Sequence, residues 1–373
     1  MNFIESSFPI LFFRLDKMSN NQSIEIDNWK SYITENVRGK ITQKAISAYV
    51  EKLVLNNTVV ILDFKHLAQL LGIEKHVLAS IVNDSKAFYY NFEIPKRNGG
   101  LREISSPYPV LLSAQRWIYE NILIKQPLHE CSKGFVKATS IVDNARPHLN
   151  QKHLLKMDVS DFFPSIKINR VMSVFRVLGY TKKISYYLAS ICCLDGALPQ
   201  GAATSPCLSN IIAKRLDYRL NGFAKKFNLV YTRYADDFTF SGDKISFGII
   251  EYINSIVSDE GFKINEAKTK LIKENAQKIV TGISISSGKL TIPKKTKREV
   301  RKNIHYILKN GLFEHQKNIN SNDPIYVERL LGFLYFWLSV EPENTFIKSS
   351  IEKLKIYSKM LDNENTLHNT LYK

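Results

Sequence analysis

The sequence predicts an α+β fold. Three observations carry that prediction: helical periodicity through the first ninety residues, a switch to extended aromatic segments at Phe88, and short apolar strands alternating with helices from about 109 to 290, after which helices return. Ile46, Tyr49, Val50, Leu53 and Val54 follow the 3–4 spacing of a helix with one buried stripe. Asp63 caps a second helix carrying Leu67, Leu70 and Leu71, which Gly72 ends, and a third turns Val77, Leu78 and Ile81 inward. Two short helices around a Gly turn are also the pattern of a DNA-reading pair. The outward set Lys75, His76 and Ser80 reads bases poorly, so packing is the preferred role.

Phe88 to Pro95 is extended, Asn98-Gly99-Gly100 supplies turn residues, and Leu101 to Ser105 is extended again, which predicts a β-hairpin. Lys96, Arg97 and Arg102 surround its tip, where three cations can clamp a triphosphate or stand as solvated surface charge. Further on, Ser205-Pro206 predicts a helix start, with Ser205 as cap, running to about Ala224. A helix from about Phe247 to Glu260 should end at Gly261. Seven cations and one acid lie between Lys289 and Lys302, followed by the apolar Leu330–Val340 stretch and a helix over Ile351–Met360.

The 373 residues suffice for two or three domains, and 44% hydrophobic content excludes a mainly disordered chain. A net charge of +17 points to a polyanionic partner, nucleic acid ahead of membrane. Cys131, Cys192, Cys193 and Cys207 have no metal-ligand spacing, which predicts reduced thiols in a cytoplasmic setting. No apolar run approaches the ~20 residues of a membrane span. The short Phe8–Phe13 run follows Glu5 rather than a cation, unlike a secretory leader.

Leu154 to Val159 reads as a buried strand delivering Asp158 at its end, with Pro164 as the residue that stops it. Downstream, two β-rich arms flank Ala235-Asp236-Asp237, a hairpin with paired acids at its bend. Adjacent like charges at a strand turn destabilise the protein, and a divalent cation relieves them. Carboxylates from neighbouring strand ends can hold two Mg²⁺ ions ~3.5–4 Å apart, the spacing of in-line phosphoryl displacement. An Asp-Asp pair alone is common in surface turns. Specificity comes from Tyr234-Ala235-Asp236-Asp237 in a hydrophobic hairpin together with Asp158.

Those two segments, with Leu198-Pro199-Gln200-Gly201-Ala202-Ala203-Thr204-Ser205-Pro206 between them, resemble in order and spacing the palm signature of reverse transcriptases. Asn144-Ala145-Arg146-Pro147-His148 and Val280-Thr281-Gly282 resemble elements of the bacterial retron branch, and Ile94 to Ile104 resembles its fingers hairpin. The likeness runs from about Leu70 to Pro342 and departs at Ala203, where many members have proline. The resemblance implies a right-hand polymerase: a helical N-terminal region (1–87), fingers (88–150), a palm with a small antiparallel sheet and interleaved fingers elements (151–292), and a helical thumb with tail (293–373).

It further implies roles. Asp158, Asp236 and Asp237, with the Val159 carbonyl, would hold the two Mg²⁺ ions. Phe163 would block a ribose 2′-OH, Gln200 and Gly201 would line the nucleotide sugar, and Lys96 (or Arg97) with Arg102 would grip the dNTP triphosphate. Lys268 matches the lysine that protonates leaving pyrophosphate, with an ordinary surface lysine as the alternative. Val280, Thr281 and Gly282 would press on the primer end. Lys294, Lys295, Lys297 and Arg298 would track phosphates. His148 is expected to anchor the Asn144 segment rather than react. Implied partners are a cognate structured noncoding RNA that supplies template and 2′-OH primer, the branched RNA-linked DNA product (msDNA), and a separate effector protein in antiphage defence, with no membrane. The alternatives are a group II intron or mobile-element reverse transcriptase and a catalytically silent RNA-binding scaffold. The absence of a Cys/His-rich module speaks against the first and the retained aspartates against the second.

Overall fold

The computed structural model describes residues 20–96 and 99–371, with side chains described as far as Met360. Arg97 and the Phe8–Phe13 run lie outside the described residues. The chain forms two compact units, Met1–Pro127 with Phe163–Ile212, and Leu128–Phe162 with Ala213–Lys373.

The first unit opens with α1 (Asn20–Asn36) and α2 (Lys40–Leu55), the latter burying Val50, Leu53 and Val54. Helix α3 (Phe64–Leu71) starts where Asp63 Oδ1 accepts the His66 N–H at 2.8 Å and stops at Gly72, whose φ of 65° is left-handed. Helix α4 (Lys75–Asn83) buries Leu78, Ile81 and Val82, so this pair packs as its apolar stripes predict. Strands β1 (Tyr89–Pro95) and β2 (Leu101–Pro107) pair antiparallel, and Gly99 and Gly100 (φ 86° and 79°) make the reversal that other residues resist. Helix α5 (Pro109–Ile118) follows with Pro in its first turn.

In the second unit, a capping box between Ser140 and Asp143 starts α6 (Ile141–Ala145), and β3 (His153–Asp158) ends on Asp158 itself. Pro164 does not end that strand. The ladder has already finished at the Asp158–Asp237 pair, and Pro164 lies within a helical turn, α7 (Phe162–Ser165). Back in the first unit, α8 (Ile168–Val177) packs on α9 (Lys182–Cys192), which also contacts α4 and α5.

Helix α10 (Ser205–Lys226) begins one residue sooner than the Ser-Pro signal indicates. The Thr204 carbonyl accepts the Leu208 N–H at 3.0 Å, and the buried Ser205 hydroxyl makes no hydrogen bond, so Ser205 is helical rather than the cap. Pro206 still falls in the first turn, where a missing N–H costs nothing.

The remainder of the second unit is built on a four-stranded antiparallel sheet. Strands β4 (Val230–Tyr234) and β5 (Asp237–Gly242), then β6 (Lys270–Ile272), join β3 in the order β4-β5-β3-β6. Helix α11 (Phe247–Asp259) lies between β5 and β6 in sequence and stops before Gly261 (φ 75°). A short hairpin, β7 (Ile279–Val280) and β8 (Ile283–Ser284), leads to four helices: α12 (Lys294–Asn310), α13 (Leu312–Asn318), α14 (Tyr326–Val340) and α15 (Thr345–Leu371). Val300, Ile304 and Ile307 meet Leu334, Trp337, Ile351 and Leu354 in one core, each set at helical spacing. No helix among the described residues is long and apolar enough to cross a membrane.

Candidate active site

The register of the sheet sets the aspartates. Asp158, last residue of β3, pairs directly with Asp237, first residue of β5. Side chains opposite one another in an antiparallel ladder share a face, and like charges there repel. Asp236 sits in the two-residue turn joining Tyr234 to Asp237, a turn made possible by Ala235 at φ 58°. The Val159 N–H donates to the Asp236 carbonyl at 3.0 Å, which ties the turn to the chain just beyond β3. Burial, then the Asp236 charge, pushes the Asp237 carboxyl up to about 6; Lys156 opposes this and Asp158 adds to it.

The Lys268 ammonium donates to both Asp158 carboxylate oxygens, at 2.9 and 3.1 Å, and this bond holds its pKa above the ordinary lysine value. Among the described residues no three carboxylate, imidazole or thiolate groups close around a single point. The set nevertheless fits a divalent cation. Opposed carboxylates on one sheet face need positive charge between them, Lys268 supplies it here, and carboxylate oxygens are the hard donors magnesium takes.

Behind the turn lies an ion pair that sequence reading did not single out. Arg233 and Asp217 have fully buried side chains, joined by Nε–Oδ1 at 2.8 Å and Nη2–Oδ2 at 2.6 Å. Tyr231 donates its hydroxyl to the same carboxylate at 2.9 Å, and Arg233 Nη1 donates to the Ala235 carbonyl at 3.1 Å. Burial disfavours the guanidinium charge, but Asp217 more than offsets it and the Arg233 pKa is raised. Gly134 closes the back of the turn: a Cβ there would stand 2.5 Å from the Ala235 nitrogen. The available signal was a single charged residue inside the apolar run Leu229 to Tyr234, since a buried charge requires a partner.

His148 is fully buried, its ring nitrogens 2.6 Å from Ser241 Oγ and 2.8 Å from Thr232 Oγ1, so it ties the segment that follows α6 to β4 and β5. Asn144 donates to Thr281 Oγ1 at 3.3 Å, and Thr281 donates to the Ile141 carbonyl. Thr281 and Gly282 both have positive φ (42° and 87°), forming the tight β7–β8 turn. Burial lowers the His148 pKa to about 3. The folded state therefore resists a proton that the unfolded chain accepts near 6.5, and stability present above that pH is lost as pH falls toward 3. The urea midpoint is expected to drop between pH 6.5 and 5, against the opposite contribution of Asp237, which takes up its proton near 6 in the folded state, and to drop less in His148→Gln. Equal slopes would remove His148 as the cause.

The nucleotide-side candidates lie in the first unit. Lys96 and Arg102 are exposed beside the hairpin reversal. The Ser105 N–H donates to the Gln200 carbonyl at 2.8 Å, and a Cβ on Gly201 would meet the Ser105 oxygen at 2.3 Å, so only glycine allows this loop onto β2. Buried Gln115 braces the loop from beneath, donating to Tyr89 Oη (2.7 Å) and the Ile191 carbonyl (3.0 Å) and accepting the Ala203 N–H at 3.1 Å. A proline at 203 could not donate this bond. Phe163 is half-buried in α7.

Of the α12 cations, Lys294, Lys295 and Arg298 are exposed. Lys297 instead turns to Glu341, 2.6 Å away, with its ammonium 5.6 Å from the centre of the Trp337 ring. Burial acts to raise the Glu341 pKa, but the Lys297 bond and the Ile292 N–H hold it low.

The chain matches the family described as "Reverse transcriptase (RNA-dependent DNA polymerase)" over residues 94–307. It is 39% identical over 246 residues to the Retron Ec86 reverse transcriptase of Escherichia coli, covering 65% of this chain and 73% of that protein. It is 33% identical over 257 residues to the Retron Mx162 reverse transcriptase of Myxococcus xanthus, covering 60% of this chain and 53% of that protein, so it spans about half of the latter's length. Among solved structures, a telomerase from Candida albicans in complex with a fragment of telomeric RNA aligns with 71% of this chain and 63% of its own at 12% identity and a TM-score of 0.39.

Proposed function

The chain belongs to the reverse transcriptases, in their retron branch, and is an RNA-directed DNA polymerase; from this we propose that it copies a structured noncoding RNA encoded beside it into branched, RNA-linked single-stranded DNA, primed from a 2′-OH of that RNA. The observation that supports the retron reading is the Asn144–Thr281 hydrogen bond, which joins the two elements that resemble the retron branch. Family members depend generally on divalent metal. In this chain the carboxylates of Asp158, Asp236 and Asp237 would hold two Mg²⁺ ions. Such ions, when bound, acidify the attacking hydroxyl and neutralise charge on the transferring phosphate. Lys96 and Arg102 hold the triphosphate by charge-assisted bonds, Gln200 orients the sugar, and Lys268, displaced from Asp158, donates a proton to pyrophosphate. The exposed α12 cations Lys294, Lys295 and Arg298 hold template phosphates. The product stays bound and acts with a separate effector protein in defence against phage, in the cytoplasm.

Protein purified from cells carrying its own locus is expected to bring down one nucleic acid that RNase shortens and DNase shortens further. Recovery of only mixed host RNA would refute the branched-DNA reading while leaving polymerase activity intact.

Phe163 is read as the sugar gate, a ring that leaves no room for a 2′-OH. Phe163→Ala should raise ribonucleotide incorporation relative to deoxynucleotides by roughly 10- to 200-fold, the range for one pocket contact. An unchanged ratio would place the gate elsewhere.

A further inference from the structure

Helices α10 and α11 leave between them, on the surface of the second unit, a cleft of about 640 Å³ that the polymerase chemistry does not use. Its floor is the buried Phe223, whose ring lies 4.8 Å from Tyr252 at 11° between planes and 4.7 Å from Phe227. Tyr218, Phe227 and Tyr252 are each at least half exposed, at 55%, 50% and 58%. Gly222 and Gly248 also line it, and no atom lies within 4 Å of where a Cβ would stand on either. Glycine inside a helix is costly, so the open space above Gly222 comes at the expense of helix stability.

The charges have a direction. At one end Arg219 is committed to Asp259 and Glu260, at 2.8 and 2.7 Å, and contributes little net field. At the other end Lys226 lines the cleft and is exposed, and its neighbour in sequence, Lys225, is exposed as well. That lysine end leads through Phe227 and Asn228 into the start of β4, whereas the aspartates stand at the turn where β4 finishes. Cleft and catalytic turn thus occupy opposite ends of one strand.

We propose that the α10–α11 cleft is a second nucleic-acid site, which stacks unpaired bases of a single strand on Tyr252 and Phe227 and holds the flanking phosphates on Lys225 and Lys226. Every base has a π-face, so exposed rings accept single strands without regard to sequence, and lysines beside them meet the phosphates. A partner helix would call for interdigitating aliphatic ridges, where this cleft presents the near-parallel Phe223–Tyr252 pair, the exposed ring of Phe227 tilted 44° to Phe223, and open space above glycine. The site serves single strands of either sugar and does not depend on the identity of the templating RNA.

The test uses the full chain and an oligouridylate of about 12 nucleotides carrying 5-iodouridine, too uniform to form a duplex. Irradiation is expected to crosslink it to Tyr252 or Phe227, a readout that binding elsewhere on this basic chain cannot supply. Tyr252→Leu keeps bulk and apolarity but lacks a ring; it should lose the crosslink at position 252 and weaken binding roughly 5- to 10-fold at moderate salt, while Tyr252→Phe retains both. Extension of a short preformed primer–template, and the melting temperature, should be unchanged in Tyr252→Leu. Crosslinks confined to other segments, or wild-type affinity in Tyr252→Leu, would overturn the proposal. So would a change in sedimentation at constant oligonucleotide affinity, since that result assigns the cleft to contacts between copies of the chain.

Discussion

Asp237→Asn is expected to abolish DNA synthesis and at the same time to stabilise the protein in the absence of divalent ions. The loss of activity follows from the charge a metal-bound carboxylate provides. Several kcal/mol of transition-state stabilisation, at about 1.4 kcal/mol per factor of ten, corresponds to roughly three orders of magnitude in rate. The gain in stability follows from the ladder. Asp237 stands directly across from Asp158 with Asp236 beside it, in a half-buried position that disfavours charge. At neutral pH the folded protein bears this repulsion and the unfolded chain does not, so a neutral isostere relieves it. Thermal melting in a chelator should place Asp237→Asn above wild type, and added Mg²⁺ should raise wild type by far more than the variant. Primer extension supplies the other half of the test, with Asp236→Asn as a companion. Wild-type synthesis by either variant would remove the metal assignment, and a lower melting temperature for Asp237→Asn would show that the carboxylate serves a structural bond.

The second large effect is expected at Arg233. Arg233→Met leaves the Asp217 carboxylate fully buried with no cation, and Asp217→Leu strands the guanidinium, each a loss of about 3–5 kcal/mol. The double variant removes both charges, and most of the stability should return, because a buried ion pair gains little over well-packed apolar groups once both partners go. Activity should not return with it. Arg233 also donates to the carbonyl of Ala235, the residue before Asp236, and the double variant lacks that hold on the turn. Urea denaturation and primer extension on the same three proteins separate these outcomes. Recovery of both stability and synthesis in the double variant would reduce Arg233 to a packing element. Additive losses in the double variant would mean that the two side chains do not act as a pair.

Much of the site was legible before folding was considered, for reasons that are local. A strand-ending aspartate, paired acids between two β-rich arms and glycines at a hairpin tip each depend on a few consecutive residues, whose backbone preferences and alternation do not need the rest of the chain. The caps at Asp63 and Gly72 and the stop at Gly261 are of the same kind. The start of α10 shows the edge of that reasoning, since Thr204 and Ser205 have similar local claims to the cap. Lys297 shows another limit of local reading. In sequence Lys297 is one of a run of cations, and only the packing of α12 on α14 brings it to Glu341 and the face of Trp337.

By itself, then, the sequence determined the kinds of element, the order of the acidic motifs and the basic character of the chain. The tertiary structure alone decided that Asp158 faces Asp237 across the sheet, that Lys268 reaches Asp158, that Gln115 receives the Ala203 N–H, and that Arg233 meets Asp217 beneath the turn. Each of these joins residues from different elements. Register and burial, which arise only when elements pack, choose among the many partners that charge and hydrogen-bonding capacity would otherwise allow.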